Sequence, residues 1–177
     1  MITELMRKLI LQVAVSLDGL IEGPNGEFDW CFTDQDYGLK DFFKQIDTLF
    51  IGRKTYELML RMGENASPGF PKFREYIFSR TLDKVKDDAV LIKEDIESEV
   101  RKIKKEKGKD IWLFGGGSLT TSLMNLTLVD EIWLAVHPIV LGGGKPLFTD
   151  LKERVELKLM DTKTYSTGLV FLKYAIK

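Results

Sequence analysis

The chain has 177 residues, enough for one domain with a sizeable core and too few for two ordinary ones. A formal net charge of −1, with 30% charged and 44% hydrophobic residues, leaves no large field for nucleic acid or an anionic membrane. One cysteine, Cys31, and one histidine, His137, argue against an internal disulfide, a multi-cysteine zinc cage and a histidine-based metal site, so no metal is expected.

The N-terminal MITELMRKLILQVAV carries an apolar run too short for a membrane span and lacks a small-residue cleavage site. It reads as the first strand of a cytoplasmic protein. A loop rich in turn residues, SLDGLIEGPNGEFDW, leads to a segment in which Leu39, Phe42, Phe43 and Ile46 follow helical spacing. DTLFIG is a short strand, and RKTYELMLRM is a helix ending near Gly63. YIFS and AVLI read as two more strands. Asp95 is placed to N-cap a helix with Ile96, Val100 and Ile103 inward, a solvated lysine-rich last turn, and Gly108 as its stop. DIWLF, a glycine triplet, a helix carrying Leu119, Leu123 and Leu126, and EIWLAV follow. A second triplet in VLGGGKPLF comes next, and VELKLM and GLVFLKYAI form a terminal antiparallel pair. Alternating strands and helices followed by strands alone predict one α/β domain over residues 1–177, with a mixed, mostly parallel sheet flanked by helices.

Two strand-to-helix junctions carry unusual chemistry. In WLFGGGSL, glycine at a helix start lets an anion approach free N–H groups, and tight-turn chemistry is the alternative. In FIGRKTYE, Gly52 precedes Arg53, Lys54 and Thr55, where the helix dipole disfavours cations unless an anionic ligand lies between them. Arg80, directly after YIFS, can join them at the same sheet edge, where open α/β sheets bind ligands. A Rossmann fingerprint does not fit, because GGGSLT has threonine where the last glycine is needed. Asp130 and Glu131 also come too early to be its ribose acid.

In order and spacing these motifs resemble the dihydrofolate reductase-like family, including the reductase domain of bacterial riboflavin biosynthesis. The resemblance runs from LILQVAVSLDG to the terminal hairpin. NGEFDW is similar to the loop beside the folate site, IGRKTYE to the element holding cofactor phosphates, and FGGGSL to the glycines under the pyrophosphate. VSLDG, LVDEI and VLGGGKPLF are similar to the riboflavin-type and single-domain branches. The resemblance implies NADPH as cofactor, held by Gly52, Arg53, Lys54, Thr55, Ser79, Arg80, Gly115, Gly116, Gly117, Ser118 and Leu119, with a cis peptide at Gly115–Gly116. It implies Asp18, Phe28 and Trp30 at the substrate.

By the family's spacing from either side, the carboxylate that arranges the proton falls on Asp36. That residue would share the inward face of its helix with Leu39 and Phe43, and Asp34 would be the N-cap beside it. The reaction implied is reduction of a small heterocycle, either a pterin or dihydrofolate or the riboflavin pyrimidine of the 5-amino-6-(5-phosphoribosylamino)uracil type. Leu20 stands where riboflavin-type reductases carry lysine or arginine, and the zinc motif of their deaminase half cannot be built from one histidine and one cysteine. The alternative is a nucleotide-binding protein without turnover, used as a sensor or assembly subunit. His137 reads as a strand-end residue capping local backbone, and Trp112 and Trp133 read as core. A homodimer is expected, through apolar EIWLAVHPIVLGG near a sheet edge unless the terminal hairpin covers it.

Overall fold

The computed structural model describes residues 6–63 and 69–177. The strands are β1 (Leu9–Ser16), β2 (Leu20–Glu22), β3 (Ile46–Gly52), β4 (Arg74–Phe78), β5 (Ala89–Ile92), β6 (Asp110–Gly115), β7 (Glu131–His137), β8 (Lys145–Pro146), β9 (Leu157–Thr164) and β10 (Val170–Ile176). The helices are α1 (Leu39–Gln45), α2 (Arg53–Met62), α3 (Ile96–Lys105) and α4 (Gly117–Asn125). Eight strands form one sheet in the order β5-β4-β3-β6-β1-β7-β10-β9, and β2 and β8 pair separately. The first six strands of that order run parallel, and β10 and β9 add antiparallel to the end.

β1 is buried on both faces, which explains its unbroken apolar run. Leu9, Leu11 and Val15 join one core with Val100 and Ile103 of α3 and Leu119 and Leu123 of α4. Ile10 joins the other core with Phe42 of α1 and Tyr56 of α2. Topology then sets the site. The chain lays β3, β4 and β5 outward from the centre and returns to insert β6 between β3 and β1. The helix after β3 packs on one face and the helix after β6 on the other, so a crevice opens at the carboxyl ends of these neighbours.

Several expectations need correction. Ile46 opens β3 rather than closing α1. Asp34 does not cap α1; it accepts a hydrogen bond from the Tyr37 hydroxyl at 2.6 Å, and the N-cap is Gly38 at φ 91°. Asp95 is the N-cap of α3 but sits in the left-handed region, and its side chain makes no cap bond; α3 ends at Lys105 with Glu106 as C-cap, ahead of Gly108. β9 runs on through DTKT, helped by a bulge opposite Lys173 and Tyr174. β7 is no edge strand, because β10 pairs along it and β9 becomes the edge. Among the described residues no helix is long and apolar enough to cross a membrane.

The lysine-rich turn of α3 is only partly solvated. Lys104 is 7% exposed, and its ammonium donates to the Leu128 carbonyl at 3.0 Å and to Asp130 at 2.7 Å. Asp130 also accepts the Leu9 amide at 2.7 Å, so this ion pair ties α3 to the starts of β1 and β7. Arg7, also buried, bonds Asp47 and the Thr48 hydroxyl at the same end of the sheet. Replacing Lys104 by Met strands two acceptors and is expected to lower unfolding free energy by about 1–3 kcal/mol. Urea titration with an unchanged m-value checks this. Exposed Lys102→Met should change stability by less than about 0.5 kcal/mol.

Candidate cofactor cleft and its loops

The two unusual junctions meet. A Cβ added to Gly52 would lie 3.3 Å from the Gly115 carbonyl oxygen and 3.4 Å from Leu119 Cβ, so main chain packs on main chain at the mouth of the crevice. Gly116, the N-cap of α4, has φ 101° and ψ 112°, a conformation that L side chains rarely adopt. The Gly115–Gly116 peptide expected to be cis is trans, as are all described peptide bonds; Gly116 makes the sharp turn through its φ instead. Thr55 packs over the pair, with Oγ1 3.5 Å from where a Gly115 Cβ would stand.

Neither α2 nor α4 has a side-chain N-cap or an acid in its first turn. Their first N–H groups, which have no partner within the helix, are therefore left without a side-chain cap. Between them lies a cavity of about 450 Å³. It is lined by Gly52, Arg53, Lys54, Ser79, Arg80, Gly116, Gly117, Ser118 and Leu119, all assigned to the cofactor from the sequence. Thr81, Lys93, Ser122 and Lys145 also line it and were not assigned. Lys93 follows β5 as Arg80 follows β4, a signal the sequence does contain. Lys145 closes the second glycine triplet, whose placement depends on a distant pairing with β2.

Among the described residues the lining holds five cations and no carboxylate. Three cations lean on acids outside the lining: Arg53 on Glu57 at 3.8 Å, Lys93 on Asp83 at 3.3 Å and Lys145 on Glu22 at 3.0 Å. Lys54 and Arg80 make no ion pair among the described residues. Arg53 also donates to the Thr81 hydroxyl at 2.8 Å. Ser79 Oγ accepts the amides of Thr81 and Leu82, which shapes the turn presenting Arg80. Like charges gathered around a concavity focus a positive potential, and dinucleotide phosphates fit that field and the bare backbone beside it.

The residues assigned to the substrate lie elsewhere, and two have other work. Asp18 accepts from the Ser16 hydroxyl at 2.7 Å, the Leu141 amide at 3.1 Å and the Gly142 amide at 2.8 Å. These bonds, the hydroxyl first, hold its pKa down at about 2 and make Asp18 a strut between two loops. Asp36 is exposed and lies before α1, not on its inward face, because the helix begins only after Gly38. Its carboxylate accepts the Lys40 amide at 3.0 Å and so caps the helix from outside. The inward, desolvated setting expected for it is therefore not found.

Phe28 is 45% exposed, and Trp30 is half-buried with its indole N–H buried and unpartnered. Trp30 stands edge-on to His137 with centroids 5.3 Å apart, and Phe32 lies 5.0 Å from the same ring. His137 is buried as β7 ends, and both its nitrogens are engaged. Nε2 accepts the Phe32 amide at 3.1 Å, which makes Nδ1 the protonated donor to the Ala135 carbonyl at 2.9 Å. The strand-end role read from the sequence is therefore correct, and the backbone it caps belongs to the tryptophan loop.

Burial lowers the His137 pKa below its ordinary 6.5 despite the Ala135 bond. A histidine depressed on folding supports the native state above the unfolded value and loses that support as pH falls through it. Protonation also removes the acceptor of the Phe32 amide. That amide, followed by hydrogen exchange with the intrinsic rate at each pH divided out, is expected to lose protection in step with the His137 ring's own titration, read by its NMR shifts, at a pH below 6.5. Protection that does not change as the ring titrates would contradict the tether.

The RibD C-terminal domain family matches residues 7–171. The Bacillus subtilis (strain 168) "Uncharacterized protein YyaP" is 48% identical over 177 residues, covering 95% of this chain and 94% of its own. A Shewanella sp. PV-4 protein ascribed to riboflavin biosynthesis superposes with a TM-score of 0.84 at 24% identity, over 96% of this chain and 99% of that one. Dihydrofolate reductase from Enterococcus faecalis, complexed with NADP(H) and RAB-propyl, superposes with a TM-score of 0.69 at 19% identity, over 96% of each chain. The fold is thus dihydrofolate reductase-like, and the chain belongs to the RibD C-terminal domain family.

Proposed function

We propose that the protein is an NADPH-dependent reductase of a small heterocycle, a riboflavin-type pyrimidine or a pterin. The cavity, which among the described residues is ringed by five cations and no carboxylate, against glycine backbone at two helix starts without side-chain caps, carries this reading. The Enterococcus faecalis reductase with NADP(H) supports the cofactor, and the ascription of the Shewanella protein to riboflavin biosynthesis supports the riboflavin-type alternative. Leu20, buried where riboflavin-type enzymes carry a cation, argues against a phosphoribosyl group at that point.

When bound, the dihydronicotinamide supplies hydride. The chain's own residues hold the phosphates: Arg53, Lys54, Arg80 and Lys93 by charge, and the amides of Gly117, Ser118 and Leu119 by hydrogen bonding. The His137 tether fixes the tryptophan loop, whose buried, unpartnered Trp30 N–H is a donor for a ligand acceptor. Asp36 is an exposed cap of α1, and both nitrogens of His137 are engaged by backbone groups, so neither is assigned the proton step.

NADPH is expected to bind about ten- to a hundredfold more tightly than NADH, less so in high salt. Arg80→Ala should narrow the gap by about three- to tenfold. Asp36→Asn keeps an acceptor for Lys40 and should change turnover less than about threefold, against the hundredfold or more of a true acid–base group. A screen of reducible heterocycles, read by loss of NADPH absorbance, tests the reaction. Tight binding without consumption of any of them favours the silent nucleotide-binding alternative.

We also propose that a second copy covers one face of the outer sheet. Register places Leu134, Val136, Val170, Leu172, Tyr174, Leu157 and Leu159 on that face with Thr162 and Thr164, while Lys158, Asp161, Lys163 and Lys173 fall on the other. The apolar face is half-buried along β7 and β10 and exposed on β9. Lacking charge, it meets a copy of itself without repulsion, as a two-fold contact requires. Light scattering is expected to give twice 20.3 kDa, and Leu159→Lys the single mass. A native chain of 20.3 kDa at micromolar concentration overturns this.

A further inference from the structure

The second glycine triplet has no part in the reading above beyond Lys145 in the cavity wall. Around it two distant loops are joined. The Leu17 amide donates to the Ile139 carbonyl, the Leu147 amide to the Gly19 carbonyl, and Asp18 takes the amides of Leu141 and Gly142. Leu20 and Glu22 of β2 pair with Pro146 and Lys145 of β8, and buried Leu147 roots the flap in the core. A Cβ on Gly144 would stand 2.1 Å from the Glu22 carbonyl oxygen, so only glycine lets the two loops close this tightly.

Lys145 sits between two demands. Its ammonium is 3.0 Å from the Glu22 carboxylate, and its Cε is 3.4 Å from where a Cβ on Gly117 would be. Lys145 lines the 450 Å³ cavity and Glu22 does not. Both side chains keep more than a third of their surface in solvent, so the ammonium is free to swing. It therefore either stays on Glu22 or turns to an anion beside Gly117 and Ser118.

Resting on the phosphate-binding reading of the cleft, we infer that Glu22 and Lys145 form a latch in which Glu22 competes with a ligand phosphate for the Lys145 ammonium. Glu22 lies on the strand that leads into the tryptophan loop, so release of the ion pair links occupancy of the phosphate cleft to the loop above it. The shared ligand chemistry is a phosphate or pyrophosphate group, from the cofactor or from a phosphorylated substrate.

Inorganic pyrophosphate binding to the full chain, measured by calorimetry, tests the latch without turnover. Glu22→Gln is expected to raise affinity about three- to tenfold, and Lys145→Met to lower it about tenfold. In the Lys145→Met background, Glu22→Gln should have no effect. Glu22→Asp keeps the charge but shortens the reach, and should raise affinity as Glu22→Gln does. An effect of Glu22→Gln that survives Lys145→Met, or a Glu22→Asp variant that binds like the native chain, reduces Glu22 to a distant charge and overturns the latch. Repeating the cycle with NADPH and with ribose 5-phosphate assigns the source: the ligand that reproduces the coupling is the one Lys145 holds, and coupling with neither overturns the proposal. NADPH consumed with additive variants sinks the latch alone, whereas a cycle coupled with both pyrophosphate and ribose 5-phosphate but without NADPH binding sinks the reductase reading alone.

Discussion

Everything at the cleft depends on the approach of Gly52 to Gly115 and Gly116, backbone against backbone at the ends of two adjacent parallel strands. A side chain at any of the three would wedge the junctions apart or demand a strained φ, and the two helix starts would no longer share one cavity. Gly52 and the first two glycines of FGGGSL are thus a geometric requirement. Their conformational entropy, an unfavourable term in folding, is offset by the interior that β3 and β6 build beneath them, where Phe50, Ile51, Ile111 and Leu113 are fully buried.

Charge is divided between the two ends of the sheet. At the amino ends of the parallel strands, Arg7, Lys8 and Lys104 are matched to Asp47, Glu131 and Asp130, and those pairs stitch elements together. At the carboxyl ends, cations outnumber acids around the cavity, and the acids that do pair stand outside it. Matched charge stabilises a fold, whereas unmatched charge in a concavity costs stability until a ligand arrives. That asymmetry is the strongest physical reason to read the carboxyl end as the working end.

The architecture was legible in the sequence because apolar runs and helical spacing are local, and so was the gathering of most of the residues expected at the cofactor around one cavity, because each sits just past a strand that ends at the same edge. Lys93 was missed although it obeys the same rule. Asp36 was misplaced because residues between Trp30 and Gly38 form a loop where spacing arguments assume a helix, and Gly38 at positive φ starts α1 late. Lys104 looked like one more solvated lysine; its burial follows from the Leu128 carbonyl and Asp130, which no window around it contains. Lys145 and the His137 tether rest on contacts between residues more than a hundred positions apart, beyond any reading of local pattern.

Phosphorus NMR of NADPH titrated with the protein tests the central claim most directly, because it reports the phosphates and nothing else. The account predicts that both the 2′-phosphate and the pyrophosphate resonances shift and broaden at stoichiometric protein, and that the effect weakens with added salt. Resonances that keep their free positions in excess protein would contradict the assignment of this cleft to the cofactor.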